Sequence, residues 1–513
     1  MSINSRHLHL LYDLVRSETP LPLQTLADQE ACTASTIRRE VQELNASIGG
    51  GPWLVVKNGM ASCRLGYDLY LEFIGSLSVS EYVPDQRDRL RVALVEAVCQ
   101  GCVNLSELYR SLNLSESTKK LDTREMRRRL ADRGLQLTVL PRHGVALAGN
   151  ELRIRICTVN ALMHLIDLAS DGRLYPRKAN SPYDNRALEP FFSAIVQLPA
   201  TEVHTYASRI EPADKKLSYA SKKYYLIYLL LSAARRMRGF TIAQGIAGVI
   251  GERMDVDESQ AEGLLFAALD FTPASIAIQD KEMMGCVDEF LDAASEKMHL
   301  ELLDRASCLA DVYAYVCKQR IRAEWKMVLP DKMLKESGAS ELQACSVVRE
   351  CRSLLEKCPG VSIDENAVVT LALILETWRL KSRVLGSRPA RIAIVTNTSD
   401  SRILYFKEML CSEYDVEVAL VCDHTETDKI DSHGIDFVLV FSDRTRKSVI
   451  QLGYPVVKLH FIMGEKDMAL LDGLGIQRRR GRLIASKAAD CLVGLDPNAV
   501  ASALRQCYPG CFV

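Results

Sequence analysis

Thr33, Ser35, Thr36, Arg38, Arg39 and Gln42 bring hydroxyl, guanidinium and carboxamide groups close together in the sequence. Such groups are suited to recognising partners by hydrogen bonding. In a duplex major groove, Arg pairs with guanine and Gln with adenine, while hydroxyls and cations meet phosphate oxygens. A second set of the same character follows: Ser115, Ser117, Thr118, Lys119, Lys120, Arg124 and Arg127. A solvated helical face carries the same residue types, so position must decide between the two readings. Nothing comparable suits catalysis. His164, His204 and His299 stand isolated, and Cys99 and Cys102 form a lone CxxC without a partner pair, which fits small residues at a helix end. No catalytic residue, metal site or cofactor is expected, and the chain does not read as an enzyme.

The elements that would hold the first set are legible in the flanking residues. Leu23, Leu26 and Ala27 share one face of a short helix, and Glu30-Ala31-Cys32 breaks its pattern. Thr33 can then cap a new helix, because its hydroxyl can accept from a free amide of the first turn. Ile37, Val41 and Leu44 recur at i, i+4 and i+7 and predict that helix's buried face, which turns Ser35, Arg38, Arg39 and Gln42 outward. Trp53–Lys57 and Met60–Leu65 read as strands joined by Asn58-Gly59, a strong hairpin signal. A helix over 6–16 is expected to supply Leu8, Leu10, Leu11 and Leu14 to the core. Together these predict a winged helix over residues 1–66, with 67–86 as a connector.

Residues 87–150 repeat the theme. Amphipathic helices are expected over Asp88–Val98 and Leu105–Leu112, and Ser115 can cap a third that runs to Asp132. Leu135–Leu140 and Gly144–Leu147 would form a second wing around Pro141-Arg142-His143. Basic residues concentrate on the third helix.

Residues 151–385 are helical in pattern. One helix is expected over Leu152–Ala169, and two bundle-like blocks follow, the first containing Tyr224–Arg238. The second contains Leu309–Arg322, Glu341–Cys358 and Ala367–Arg379. Gly386–Ala390 is a linker by composition. Strands at Arg391–Val395, Val416–Val421, Asp436–Phe441 and Val456–Phe461 then alternate with helices at Arg402–Cys411 and Lys466–Leu474, which implies a small α/β domain with a parallel sheet. The tail, 481–513, is expected to be helical near Asn498–Gln506.

Composition bounds the rest. At 513 residues, several domains are expected. The net charge of -1 excludes a basic nucleic-acid coat, so any affinity for DNA must be local. The start, MSINSRHLHL, lacks a long apolar stretch, and the run Tyr224–Ala234 is too short to span a bilayer. The 16 Cys, scattered without a framework, read as reduced thiols. A cytoplasmic protein without membrane contact is the expectation.

The order of parts resembles the sugar-phosphotransferase (PTS)-regulated transcription regulators. The resemblance rests on Thr33-Ala-Ser-Thr-Ile-Arg-Arg39, on Ser115-Glu-Ser-Thr118 with Asp122, and on Gly144–Glu151 followed by Ile154-Arg155. Asp436-Phe-Val-Leu-Val440 and Tyr454-Pro-Val-Val457 carry it into the α/β part. It implies a multidomain, mainly α chain. The parts would be winged helix-turn-helix domains at 1–66 and 87–150, PTS regulation domains at 151–280 and 283–385, and an enzyme IIB-like α/β domain at 390–480. The layout is similar to that of the Mga- and AtxA-type regulators. The resemblance further implies a homodimer joined through the regulation and enzyme IIB-like domains, double-stranded DNA and RNA polymerase as partners, and activation of transcription. Histidines phosphorylated in that family would fall near Tyr228, Tyr313 and Ala372, before Arg235, Arg320 and Arg379, and the family's cysteine at Thr396. None of the four is His or Cys, so these phosphoacceptor positions read as degenerate. Two alternatives carry their own signatures. An RNA-binding antiterminator shares the regulation domains but begins with a small β-rich module. A phosphorelay-responsive regulator of carbohydrate genes would need acceptors at other positions.

Overall fold

Asn4 starts the first helix by accepting from the His7 amide at 3.0 Å, while the His7 ring accepts from the Asn4 amide at 3.2 Å. The helix, α1 (Ser5–Arg16), follows strand β1 (Ile3–Asn4) and buries His7, Leu10, Leu11 and Leu14. The expected core residue Leu8 is only half-buried. Position 7 lies one turn before both Leu10 and Leu11, so the apolar stripe runs through His7 and leaves Leu8 at its edge. The computed structural model describes residues 3–478 and residue 500, apart from 18, 213–215, 243–245, 248–252, 255–256, 273–279, 299–301, 303, 330–341, 382–389, 452, 475 and 477. The expected linker residues 386–389, and the tail 481–513 except residue 500, lie outside the described residues.

The chain divides into two compact units, Met1–Asp167 with Leu174–His204 and Ile227–Ala243, and Leu168–Arg173 with Thr205–Leu226 and Gln244–Val513. The block expected over 151–280 contributes to both.

In the first unit, β2 (Leu21–Pro22) leads into α2 (Leu23–Gln29) and α3 (Ala34–Ile48). Strands β3 (Leu54–Lys57) and β4 (Met60–Cys63) follow, and the sheet order is β2-β4-β3, antiparallel throughout. Asn58 and Gly59 both take positive φ, 52° and 75°, as a tight hairpin turn demands. The Asn45 carboxamide fixes the hairpin to α3, donating to the Leu54 carbonyl at 2.8 Å and accepting from its amide at 2.9 Å. The connector is itself structured: α4 (Tyr67–Ser76) buries Tyr70 and Ile74, and β5 (Tyr82–Val83) returns to pair in parallel with β1.

The pattern then repeats. Asp85 caps α5 (Gln86–Gln100), which ends at Gly101 with φ 90°. Cys99 is buried in its last turn, and the described cysteines are free thiols. Asn104 caps α6 (Leu105–Ser111), Ser115 caps α7 (Glu116–Ala131), and β6 (Leu135–Leu140) pairs with β7 (Gly144–Gly149). Val103 bridges Val145, so a third strand-like segment joins this hairpin as β2 joins the first. After β7, α8 (Glu151–Leu162) ends earlier than expected, and a strand, Ile166–Leu168, replaces its predicted last turns. The apolar run through Leu162, Met163, Leu165 and Ile166 has no period that could mark the change.

In the second unit the helices Lys281–Met298, Arg305–Trp325, Gln343–Leu355 and Glu365–Lys381 share one continuous core with a parallel sheet. The strand order is Val416–Cys422, Ala390–Val395, Phe437–Val440, Val456–Lys458. Ile392, Ile394 and Leu439 face that core, and Ala393, Val395, Val438 and Val440 face a smaller one, the alternation a pleated strand imposes. The predicted strands ran on to Phe441 and Phe461. Both rings leave the ladder and pack edge-on against each other, 5.8 Å between centroids, beside Phe406. Among the described residues, no helix is long and apolar enough to cross a membrane, and no His, Cys, Asp and Glu cluster could hold a metal ion.

Candidate nucleic-acid interface

The first turn of α3 is organised by Thr33. Its hydroxyl accepts from the Thr36 amide at 3.2 Å and lies 2.8 Å from the Ser35 hydroxyl and 2.9 Å from that of Thr36. Ser115 does the same at the start of α7. It accepts from the Thr118 amide at 3.1 Å and sits 2.8 Å from the hydroxyls of both Ser117 and Thr118. Thr33, Thr36, Ser115 and Thr118 are therefore engaged in capping, and their hydroxyls serve first to begin a helix.

Counting from these caps brings the two helices into register. Seven residues on, Glu40 and Asp122 are both buried, and each is held by an arginine of the module's own first helix. Arg6 meets Glu40 at 2.5 Å. Arg89 meets Asp122 at 2.6 and 3.0 Å, and Gln86 and Tyr109 also donate to this carboxylate, at 3.0 and 2.9 Å. Burial alone would push the Asp122 carboxyl up, but the donors outweigh it and hold it below the usual range. Periodicity gave no notice of these acids, because they interrupt the apolar face. Their equal distance from a capping hydroxyl is the signal that could have found them.

The same register places Ser35, Arg38, Arg39 and Gln42 of α3 against Ser117, Lys120, Leu121 and Arg124 of α7, and all eight are exposed. Arg38 has no ion pair among the described residues, while Arg39 lies 3.5 Å from Glu43. On α7, Lys120, Arg124 and Arg127 are exposed without an ion-pair partner among the described residues. Lys119 differs from the expectation. It occupies the register position of buried Ile37, is half-buried, and donates to Ser106 of α6 at 2.8 Å while pairing with Glu116 at 2.5 Å. It braces α6 against α7 and is not an outward cation. Arg128 and Arg129 are likewise spent on Glu125, each at 2.7 Å, and hold its carboxyl down to about 2.

The four positions read as degenerate phosphoacceptors are all buried. Tyr228, Tyr313 and Ala372 lie inside helices, and Thr396 follows the strand Ala390–Val395. The Tyr313 hydroxyl accepts from the Asp280 amide at 3.2 Å, and the Thr396 hydroxyl from the Thr398 amide at 3.2 Å. The arginines that follow face acids: Arg235 with Glu151 at 2.6 Å, Arg320 with Asp280 at 2.8 Å, Arg379 with Glu376 at 2.6 Å. Sequence reasoning also missed a charge cluster in the second unit. Buried Lys222 lies 3.2 Å from Glu426 and 3.3 Å from Asp423, both buried and far away in sequence, and 3.2 Å from exposed Glu211.

No family model matches the chain. It is 19% identical over 504 residues to the "Probable licABCH operon regulator" of Bacillus subtilis (strain 168), an alignment that spans 92% of this chain and 76% of that protein.

Proposed function

We propose that the chain is a transcription regulator that binds double-stranded DNA in a sequence-specific manner through α3 and α7, the reading helices of two winged helix-turn-helix domains. One observation carries this reading. A triad of hydroxyls at the cap and a buried acid seven residues after it recur in both modules, and each time they leave outward a stripe that carries hydroxyl and cationic side chains. Two helices precede each stripe and a hairpin follows it, the arrangement in which a helix enters the major groove beside a wing. The similarity to a protein named as an operon regulator supports the same reading.

In this reading the remaining parts are two PTS regulation domains and an enzyme IIB-like domain, joined in a homodimer that works in the cytoplasm. The regulator acts as an activator in concert with RNA polymerase. Its four degenerate positions take no phosphate, so phosphorelay control through them is lost. Selection by the full chain from a mixed pool of random DNA duplexes and RNA hairpins tests the central point. Duplexes sharing one sequence element are expected to be enriched. Enrichment of hairpin RNA would overturn the proposal in favour of an antiterminator.

A further inference from the structure

Leu121 lies in the middle of the outward stripe of α7 and is 64% exposed. A single exposed leucine is ordinary on a protein surface. This one is flanked on its own helix face by Lys120 and Arg124, both exposed and without an ion-pair partner among the described residues, with the hydroxyl of Ser117 one turn before it. Its register partner on α3, six residues after the cap, is Arg39. The two helices thus share a scaffold and differ in the chemistry they present at the same place. Cations on either side of the leucine fit a polyanion, and an apolar group inside such a surface fits the one apolar feature of the major groove, the C5 methyl of thymine.

We infer that Leu121 is a specificity-determining residue that reads a thymine methyl, so the two helices of one chain recognise different base sequences. The α3 stripe, with Arg38, Arg39 and Gln42, suits guanine and adenine. The α7 stripe suits a thymine beside a guanine, the latter met by Lys120 or Arg124. A site bound by one chain is then composite and not a direct repeat. This inference rests on the DNA-binding function proposed above.

The test uses the full chain and a duplex chosen by selection from a random pool. Each thymine is replaced in turn by uracil, which removes the methyl and keeps the base pair. For the native chain, loss of the methyl that Leu121 meets is expected to weaken binding about fourfold, the worth of one buried methyl-sized group. Leu121→Ala should abolish the sensitivity at that position, and Arg39→Ala should leave it intact. Leu121→Arg should favour guanine there instead. Leu121 is exposed, so these variants keep the fold, which circular dichroism would check. The inference is overturned if the native chain is indifferent to every methyl, or if Leu121→Ala keeps the sensitivity. It is equally overturned if Leu121→Ala binds the duplex like the native chain and fails only in transcription with RNA polymerase, which would make Leu121 a protein contact. Failure to select any duplex would instead remove the DNA-binding function itself.

Discussion

Asp122 and the cations around it separate side chains that build the second module from side chains free to meet a ligand. Removal of a carboxylate that satisfies Arg89, Gln86 and Tyr109 leaves a largely buried guanidinium without its counter-charge. Asp122→Ala should therefore cost about 3–5 kcal/mol, read from denaturant unfolding. Phosphate contacts have a different signature. The one of Lys120 and Arg124 that does not meet guanine would contact phosphate, and its replacement by Ala should reduce the slope of log affinity against log salt by about 1, followed by fluorescence anisotropy of a labelled duplex. Lys119→Ala should leave that slope unchanged, because its amine is turned toward Ser106 and Glu116. In the second unit, burial and the nearby Asp270 push the Asp400 carboxyl up to about 7. The folded chain thus holds a proton that the unfolded chain releases near pH ~3.9. The contribution to stability is complete below that pH and declines as pH rises toward 7. Asp400→Asn, which cannot ionise, should melt higher than the native chain at pH 8, with the difference vanishing near pH 4.

At the scale of elements, each module is a helix pair, a capped helix and a hairpin, and the hairpins are held by single backbone positions. Gly144 opens β7 with φ 103°, and a Cβ there would stand 2.2 Å from the Val103 carbonyl oxygen. That carbonyl accepts from the Val145 amide at 2.9 Å, so the added methyl would strike the bridge that completes the three-stranded edge. Gly144→Ala should destabilise the first unit by at least about 2 kcal/mol. Gly59, also at positive φ, has open space around it, so Gly59→Ala should cost only the backbone strain, about 1 kcal/mol. Thermal unfolding of the two variants side by side would check both the sign and the order. The connector between the modules is an element too. With β5 paired to β1, α3 and α7 sit on one continuous scaffold within the first unit.

For the whole molecule, the question is what would set the activity of α3 and α7 in the proposed role of reading helices. Tyr228, Tyr313, Ala372 and Thr396, the positions that the family resemblance aligns with phosphoacceptors, are two buried tyrosines, a buried alanine and a buried threonine. Incubation with a sugar-transport phosphocarrier and labelled donor is expected to leave these positions unlabelled. Stable phosphohistidine or phosphocysteine elsewhere in the chain would show that other residues have taken over the task. In the second unit Tyr313 and Ala372 belong to one continuous core with Ile392 and Phe406.

The sequence alone determined the elements whose signals are local. Thr33 and Ser115 mark helix starts by a hydroxyl that meets its own chain three residues on, and Asn58-Gly59 marks a turn because both residues accept positive φ. The parallel strands follow from short apolar runs between helices. Only tertiary structure decided the rest, because it depends on partners distant in the chain. Lys119 and Lys120 are indistinguishable as residues, and their roles part only when α6 folds against one of them. Asp122 enters the sequence reading only as part of a motif, and its burial is decided when Arg89, 33 positions away, closes on it. The pairing of β1 with β5 and the gathering of Lys222 with Asp423 and Glu426 likewise leave no periodic trace, since each contact spans segments whose own patterns are complete without it.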